Sequence, residues 1–350
     1  MKKLVYAVMG EGRGHVSRLM TILPKLNTDA LIIAGGDAYD FLQRSELTKH
    51  HEIIKVPTLR FRYKNGKVDN WNTFLGNGKN FIDFKWGLLT DTISHLEKRI
   101  ASYSPDLIVS DGEPFSQHMK SDVPLISFDR FGKVAFCENK FKNSLKIGAQ
   151  RAMTVWIYKQ LLGRTDRMVT TSFYHAAPKS SYKNKVISLG PILRDEVKLL
   201  EAEQQDHVVV YATNKYVYNK QLIELLKGLK REVRVYSSGR NDSSHNIKFF
   251  HIEPKRFIED VATCAYAITT PGNMLISELN YLGKNALFFW TKPYEQRENV
   301  YHADNMGIGK RLDATGYDPI QVESTISKLK RGKKVEEGTN KIIDLINEYL

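Results

Sequence analysis

A histidine that directly follows a glycine-rich turn is the first feature of this sequence that could carry chemistry. The stretch GEGRGHVSR, residues 10–18, comes after an apolar run at residues 3–9 that is typical of a buried strand. Glycines permit a tight turn, and His15 then falls in the first turn of the next predicted helix. Because imidazole titrates near neutral pH, a histidine there can act as a general base. The alternative is a turn that uses glycines for backbone geometry alone.

The glycine turn fits neither of two common nucleotide-binding motifs. The dinucleotide fingerprint needs a glycine where His15 stands, and the predicted strand at residues 29–35 ends without an acidic residue. The Walker motif needs a Gly-Lys-Ser/Thr sequence, which the turn lacks. Because glycines let a ligand approach the backbone closely, we keep Gly12 and Gly14 as candidates for binding the donor.

A second polar cluster is predicted in the C-terminal half. Gly272 lies between a strand ending at residue 270 and a helix at residues 274–281. A helix N-terminus presents free N–H groups and a positive dipole end, which suit a phosphate. Glu278 lies about one turn into the helix and could accept hydrogen bonds from sugar hydroxyls. The segment 292–300, expected to be a loop, adds Glu295, Gln296 and Asn299.

Short apolar runs alternate with helical patterns along the chain, which predicts an α/β fold of two Rossmann-like, parallel-sheet domains. A polar stretch after Gly190 and Pro191 marks the boundary. We expect one domain at residues 1–193 and a second at residues 194–335. A C-terminal helix at residues 336–350 follows, and the C-terminal helices are expected to pack back on the first domain.

Four motifs give the sequence a resemblance to a known family. They are GEGRGHVSR, SDGEPF at residues 110–115, LGPILR at residues 189–194, and TTPGNMLISEL with PYEQRENVYHADNMGIG at residues 269–309. Over about residues 1–312 the sequence resembles the GT-B nucleotide-sugar glycosyltransferases. The nearest branch is the bacterial and archaeal one related to the lipid II GlcNAc transferase and the UDP-glucuronosyltransferases. In that family the two domains face each other across a cleft, the first binding the acceptor and the second the nucleotide sugar.

The resemblance implies a role for individual residues of the first domain. His15 matches the histidine that in many members deprotonates the acceptor hydroxyl, and Asp111 matches the carboxylate near it. Glu113, two residues further on, is a rival base. The implied reaction is an inverting transfer of a hexose from a UDP-sugar, in which the acceptor oxygen displaces the nucleoside diphosphate.

The resemblance also implies a donor site in the second domain. The backbone of Gly272, Asn273 and Met274 would bind the diphosphate. Glu278 would bind the ribose, and residues 250–252 would bracket the base. The other donor-side matches are Thr213 and Asn214 at the phosphates, His251 and Ile252 at the base, and Glu295 and Gln296 at the sugar. Pro271 stands where the family has a second glycine, so the phosphate turn has less freedom. Arg297 and Glu298 place two charges after Gln296, so the donor sugar stays open.

No metal or cofactor is expected. The chain contains no D-x-D triplet to hold a magnesium–diphosphate complex, and its histidines and two cysteines lack zinc spacing. Two alternatives remain. An epimerase on the same fold would convert a UDP-sugar without an acceptor. A nucleic-acid-binding protein is suggested by charge alone, but no binding module is recognisable, so we expect no nucleic-acid partner.

The charge of the chain is unevenly distributed. Of the formal net charge of +13, residues 1–193 hold 29 Lys and Arg against 17 Asp and Glu, whereas the remainder is nearly balanced. Residues 130–185 hold 12 basic and 2 acidic residues. This stretch would contact an anionic membrane or glycan, or form a solvated surface. We expect a glycan or lipid-linked acceptor, such as one of cell-envelope polysaccharide synthesis, and a cytoplasmic location at the inner face of the membrane.

Overall fold

The computed structural model describes most of the chain. The described residues are 2–10, 13–58, 63–64, 67–68, 90–139, 141, 145–212, 218–236, 245–289, 293–312, 318–330 and 336–350. Gly12, Thr213 and Asn214, three of the candidates above, lie outside them. The chain divides into two compact units, one of residues 1–63, 68–192 and 337–350, the other of residues 64–67 and 193–336.

The first unit is built on a seven-stranded sheet. The first nine strands of the chain are β1 (Lys3–Val8), β2 (Asp29–Gly35), β3 (Glu52–Val56), β4 (Tyr63–Lys64), β5 (Lys67–Val68), β6 (Leu107–Asp111), β7 (Leu125–Phe128), β8 (Arg167–Thr171) and β9 (Val186–Leu189). The large sheet has the order β3-β2-β1-β6-β7-β8-β9, with every neighbouring pair parallel, and β4 pairs with β5 separately. Its helices are α1 (Arg13–Ile22), α2 (Gly36–Leu42), α3 (Thr90–Tyr103), α4 (Pro114–His118), α5 (Phe131–Phe136) and α6 (Leu145–Leu161).

The second unit repeats this layout with a six-stranded sheet. Its strands are β10 (His207–Tyr211), β11 (Glu232–Tyr236), β12 (Ile247–Phe250), β13 (Tyr266–Thr269), β14 (Ala286–Phe289) and β15 (Gly309–Leu312), all parallel in the order β12-β11-β10-β13-β14-β15. Its helices are α7 (Asp195–Leu199), α8 (Lys220–Lys227), α9 (Pro254–Thr263), α10 (Asn273–Tyr281), α11 (Tyr294–Asn305) and α12 (Pro319–Ser327). A last helix, α13 (Thr339–Asn347), belongs to the first unit.

Helices cover both faces of the first sheet, which explains why its central strands are mostly apolar and almost entirely buried. Leu4 and Tyr6 of β1 join one core cluster with residues of α1, while Val5 and Ala7 join a second cluster on the opposite face. Alternation of side chains along a strand produces this division. The sheet is thereby fixed in register, and its carboxyl edge becomes a rigid platform for polar residues.

The predicted fold class, two parallel α/β sheets, is confirmed. The last helix α13 packs on the first sheet, because Ile342 and Ile346 are fully buried in the same cluster as Leu4. The preceding helix α12 stays on the second unit, where Val322 is buried against the second core. Among the described residues, no helix combines the length and the apolar character needed to cross a bilayer.

Candidate active site

Three side chains of the first unit meet at the carboxyl end of β6. Asp111 ends β6 and is fully buried, while His15 and Arg18 lie one turn apart on α1. Nδ1 of His15 lies 2.7 Å from Oδ1 of Asp111, and Nε of Arg18 donates to Oδ2 at 2.9 Å. A terminal nitrogen of Arg18 also donates to Oδ1. The carboxylate is therefore shared between an imidazole and a guanidinium.

These contacts keep Asp111 ionised. Burial alone would raise the pKa of this carboxyl, but Arg18 and His15 outweigh it and hold the pKa below its usual value. An ionised carboxylate only accepts hydrogen bonds, so the 2.7 Å contact assigns the proton of a neutral His15 to Nδ1. The Arg18 nitrogen that lies 2.8 Å from Nδ1 then has Asp111 as its acceptor. Nε2 of His15 is left unprotonated and can accept a proton from a substrate.

A glycine and an aromatic ring position the two partners of Asp111. Gly112 has a φ of +70°, and a Cβ atom there would lie 2.8 Å from Cε1 of His15. Only glycine combines that conformation with the space that the imidazole occupies. The guanidinium of Arg18 lies over Phe128, 4.8 Å from the ring centroid. The His15 side chain keeps 23% of its surface exposed, so a substrate can reach it.

Glu113, the second candidate base, caps a helix. It is 2% exposed, and its two carboxylate oxygens accept the N–H groups of Phe115 at 2.9 Å and Ser116 at 2.8 Å. This is the N-cap arrangement that satisfies the free donors at the start of α4. Burial raises the pKa of Glu113, and the two backbone hydrogen bonds oppose that shift.

Gly10 and Gly14 of the first turn have different surroundings. At Gly10 a Cβ atom would lie 2.0 Å from the Thr58 hydroxyl oxygen, so this glycine is needed for packing. Gly14, a ligand-binding candidate, lies within α1, and a Cβ there would meet no atom within 4 Å. Local packing therefore does not explain Gly14.

Asp129 is a buried carboxyl that the sequence analysis did not identify. It directly follows β7, the strand next to β6, and its Oδ1 accepts the N–H of Phe131 at 2.7 Å. Burial raises its pKa to about 6, with a further upward contribution from Asp111 and opposing ones from His15 and Arg18. The signal that could have found it is its place at the end of a strand adjacent to β6.

In the second unit, Gly272 caps the start of α10. No side-chain hydrogen bond caps this helix start, and a Cβ on Gly272 would meet no atom within 4 Å, so there is space beside the turn that leads into the helix. Asn299, a predicted donor ligand, is 1% exposed, and its amide donates to the Pro271 carbonyl at 2.7 Å. Asn299 thus holds the turn that leads into α10.

Glu278 lies in α10 and pairs with an arginine that the sequence analysis left without a role. Nε of Arg194 donates to Oε1 of Glu278 at 2.8 Å, and the glutamate side chain is 3% exposed. Burial raises the pKa of Glu278, and Arg194 opposes the rise. Arg194 is the last residue of the LGPILR motif, and Glu278 lies in the TTPGNMLISEL motif. One buried ion pair therefore connects two motifs that are far apart in the sequence.

The prediction of a loop at residues 292–300 is wrong, because α11 begins at Tyr294. Pro293 and an acidic residue in the first turn, Glu295, both favour a helix start at this point. Among the described residues, Oε1 of Gln296 is buried without a hydrogen-bond partner, and so is the hydroxyl of Thr270. These residues follow the neighbouring strands β14 and β13. Such unsatisfied oxygens at one sheet edge are what a bound polar ligand would satisfy.

The remaining donor-side candidates lie elsewhere on the second sheet. His251 is exposed and Ile252 half-buried, and both follow β12 at the sheet edge. Two strands, β11 and β10, separate β12 from β13. Within the described ranges, no group of three or more His, Cys, Asp and Glu side chains is arranged to hold a metal ion.

Comparison with known proteins decides the family. The sequence profile of glycosyl transferase family 1 matches residues 2–330. The chain belongs to this family. It is a glycosyltransferase, as the resemblance of its motifs implied. A comparison with curated proteins found no match.

Solved structures show the same fold along the whole glycosyltransferase. The glycotransferase of kitacinnamycin has a TM-score of 0.64 at 12% identity, covering 99% of each chain. MurG of Acinetobacter baumannii has a TM-score of 0.58 at 12% identity, covering 99% of this chain and 100% of its own. UGT89C1 of Arabidopsis thaliana, complexed with UDP, has a TM-score of 0.61 at 13% identity, with 100% of each chain covered. These similarities confirm the GT-B fold.

Replacing Arg18 by methionine should destabilise the glycosyltransferase in a pH-dependent way. The variant leaves Asp111 buried without its guanidinium, and breaking such a pair costs about 3–5 kcal/mol. The wild-type carboxyl has a lowered pKa, so its stabilising contribution is present at neutral pH and lost in acid. In the variant, burial without Arg18 raises the pKa of Asp111. Protonation of Asp111 then removes the unpaired buried charge and restores part of the lost stability. The difference in free energy of unfolding should therefore narrow as the pH falls from 7 toward about 4.

Urea unfolding at several pH values measures this difference. The control is Arg18→Lys, which keeps a cation beside Asp111 and should lose less stability at pH 7. An Arg18→Met penalty that stays constant or grows toward acid pH would show that Arg18 does not hold Asp111 ionised.

Proposed function

We propose that this glycosyltransferase moves a hexose from a UDP-sugar to an acceptor hydroxyl with inversion at the anomeric carbon. The observation that carries the proposal is the 2.7 Å contact between His15 Nδ1 and the ionised Asp111. It leaves Nε2 of a partly exposed imidazole available as a base. Several proteins of this fold, including UGT89C1, were solved with UDP, which supports a uridine donor here.

The reaction then needs one proton transfer and one displacement. His15 Nε2 takes the proton of the acceptor hydroxyl as its oxygen forms a bond to the anomeric carbon. The bond from that carbon to the diphosphate oxygen breaks, and the electron pair leaves with UDP. Asp111 orients the imidazole and stabilises its charged form after proton transfer. Attack opposite to the leaving group produces the inversion.

Two features support a metal-independent stabilisation of the leaving diphosphate. The N-terminus of α10, at Gly272, Asn273 and Met274, has no side-chain cap and carries the positive end of the helix dipole. Preorganised N–H donors at a helix start stabilise negative charge as it develops. Asn299 holds the preceding turn in place through the Pro271 carbonyl.

The donor's sugars are assigned to the polar side chains behind that helix start. Glu278 accepts hydrogen bonds from ribose hydroxyls beside its pair with Arg194. The unpartnered Oε1 of Gln296 supports a contact to the transferred sugar, together with Glu295. His251 and Ile252 stay assigned to the base through their backbone groups.

Between the two candidate bases, the geometry favours His15. Both oxygens of Glu113 are already engaged with the first N–H groups of α4, and the side chain is almost fully buried. A base must reach the proton that it removes, and His15 is the one with exposed surface.

The proposed acceptor is a glycan or a lipid-linked sugar, as in cell-envelope polysaccharide synthesis. The proposal includes a cytoplasmic position and peripheral contact with an anionic membrane. The excess of basic residues at 130–185 supports this contact, because clustered Lys and Arg side chains are attracted to anionic lipid.

Uridine nucleotides should raise the melting temperature of the protein, because a ligand that binds only the folded state stabilises it. We expect a shift with UDP or one UDP-sugar that persists in EDTA and is lost in Glu278→Gln. Thermal denaturation with a panel of UDP- and dTDP-sugars measures this. Glu224→Gln, on an exposed ion pair, is the matched control and should respond as the wild type does. No shift with any nucleotide sugar would refute the donor site.

Replacing His15 by glutamine should reduce kcat by about 10²–10⁴, the usual contribution of a general base. Glu113→Gln should lower stability through loss of a helix cap, while the folded fraction keeps near wild-type kcat. Turnover assays with purified acceptor and donor, together with NMR of the product anomer, measure both effects. A retained anomer, or kcat lost in Glu113→Gln but kept in His15→Gln, would contradict the mechanism. Conversion of the UDP-sugar without acceptor would indicate an epimerase.

A further inference from the structure

Helix α6 of the first unit is apolar on two opposite faces. On its inner face Tyr158 is buried and contacts the rings of Phe131 and Phe136. On its outer face lie four of the seven large apolar side chains that are exposed among the described residues: Leu145 at 97%, Met153 at 54%, Trp156 at 51% and Ile157 at 39%.

The exposed side chains form one continuous strip along the helix. Leu145, Ala149, Met153 and Trp156 are spaced by four, four and three residues, so they lie on one side of α6. Ala149 is exposed as well. We call these residues and Ile157 the apolar strip. An exposed strip of this size on a folded unit marks an interaction surface.

A basic groove runs beside the apolar strip. Its volume is about 250 Å³, and its lining includes Gly148, Arg151, Ala152 and Lys159 of α6, with Lys179 across from them. Ala152 precedes Met153 of the strip, so the two features are adjacent. A Cβ atom at Gly148 would meet no atom within 4 Å, so the missing side chain leaves this part of the groove open.

The three cations of the groove form no ion pair with a described residue. Among the described residues, no carboxylate lies within ion-pair distance of Arg151, Lys159 or Lys179. Arg151 donates to the Val134 carbonyl at 3.2 Å, and Lys179 donates to the Ala135 carbonyl at 2.7 Å. Nε of Arg151 is buried without a partner. Burial and the nearby Arg151 and Lys159 lower the pKa of Lys179, and Glu138 opposes this shift.

We propose that the basic groove and the apolar strip together dock the protein on an anionic phospholipid bilayer. Lipid phosphate groups pair with Arg151, Lys159 and Lys179 in the groove. Trp156, Met153 and Leu145 enter the boundary between head groups and acyl chains. The combination of a cationic site with adjacent Trp, Leu and Met side chains is that of a helix lying in the membrane interface. This inference rests on the proposed membrane contact and gives it a surface, but it is independent of the donor chemistry.

The charge complementarity favours lipid over a protein partner. The cations of the groove attract an anion, and the adjacent apolar strip is stabilised by contact with an apolar environment. A bilayer containing phosphatidylglycerol supplies both along a plane, without any complementary protein shape. The overall excess of basic residues at 130–185 adds long-range attraction to such a surface.

Co-sedimentation with vesicles tests the proposal on the full chain. The wild type should bind vesicles of phosphatidylcholine with phosphatidylglycerol at low salt, bind phosphatidylcholine alone weakly, and dissociate as salt rises. Lys159→Gln should weaken binding about fivefold, from loss of one interfacial charge. Trp156→Ser should weaken it about tenfold, from loss of one inserted side chain. Gly148→Gln should also weaken binding, because it fills the groove without a charge while improving helix propensity.

Two matched controls lie on α12 of the second unit and directly after it. Lys328→Gln and Ile320→Ser remove an exposed charge and an apolar side chain that is 78% exposed, and both should bind vesicles as the wild type does. Circular dichroism shows whether each variant is folded. Equal binding by all variants would overturn the α6 surface while leaving membrane contact in place. No binding of wild type to anionic vesicles would overturn both. Stabilisation by UDP on the same preparations reports the donor site separately.

Discussion

The buried carboxylate of Asp111 is the constraint around which the first unit's candidate site is arranged. A charge with no exposure to water must be paired, and Arg18 supplies two hydrogen bonds to it. The remaining acceptor capacity goes to Nδ1 of His15. The imidazole is thereby held in one orientation and one tautomer. Gly112 clears the space for its ring, and Phe128 supports the guanidinium.

The second unit also pairs a buried carboxylate with an arginine. Glu278 is also buried and also paired with an arginine, and it lies in the helix that follows a parallel strand. In both units the sheet is covered on both faces, so polar groups are confined to its edge. The second unit also contains the start of α10, where the positive end of the helix dipole favours binding of an anion. In the proposed reaction, the first unit therefore supplies the base and the second unit binds the diphosphate.

The sequence predicts the fold well because apolar runs of strand length alternate with helices, and such a pattern allows few arrangements. It also places His15 and Glu278 at strand ends. It does not identify Arg18 or Arg194, because a single arginine in a helix or junction has no periodicity, and its buried partner is about ninety residues away. It also misses the helix at residues 294–305, whose many polar residues suggest a loop although Pro293 starts a helix there.

The most direct test of the central claim is the protonation state of His15. Long-range proton–nitrogen correlation spectra of protein labelled with nitrogen-15 at histidine report which ring nitrogen carries the proton, and His15→Gln assigns the signal. At a pH where the ring is neutral, a proton on Nδ1 and a bare Nε2 are the predicted result. A proton on Nε2 would contradict it, because the nitrogen facing away from Asp111 could then no longer accept a proton from the acceptor.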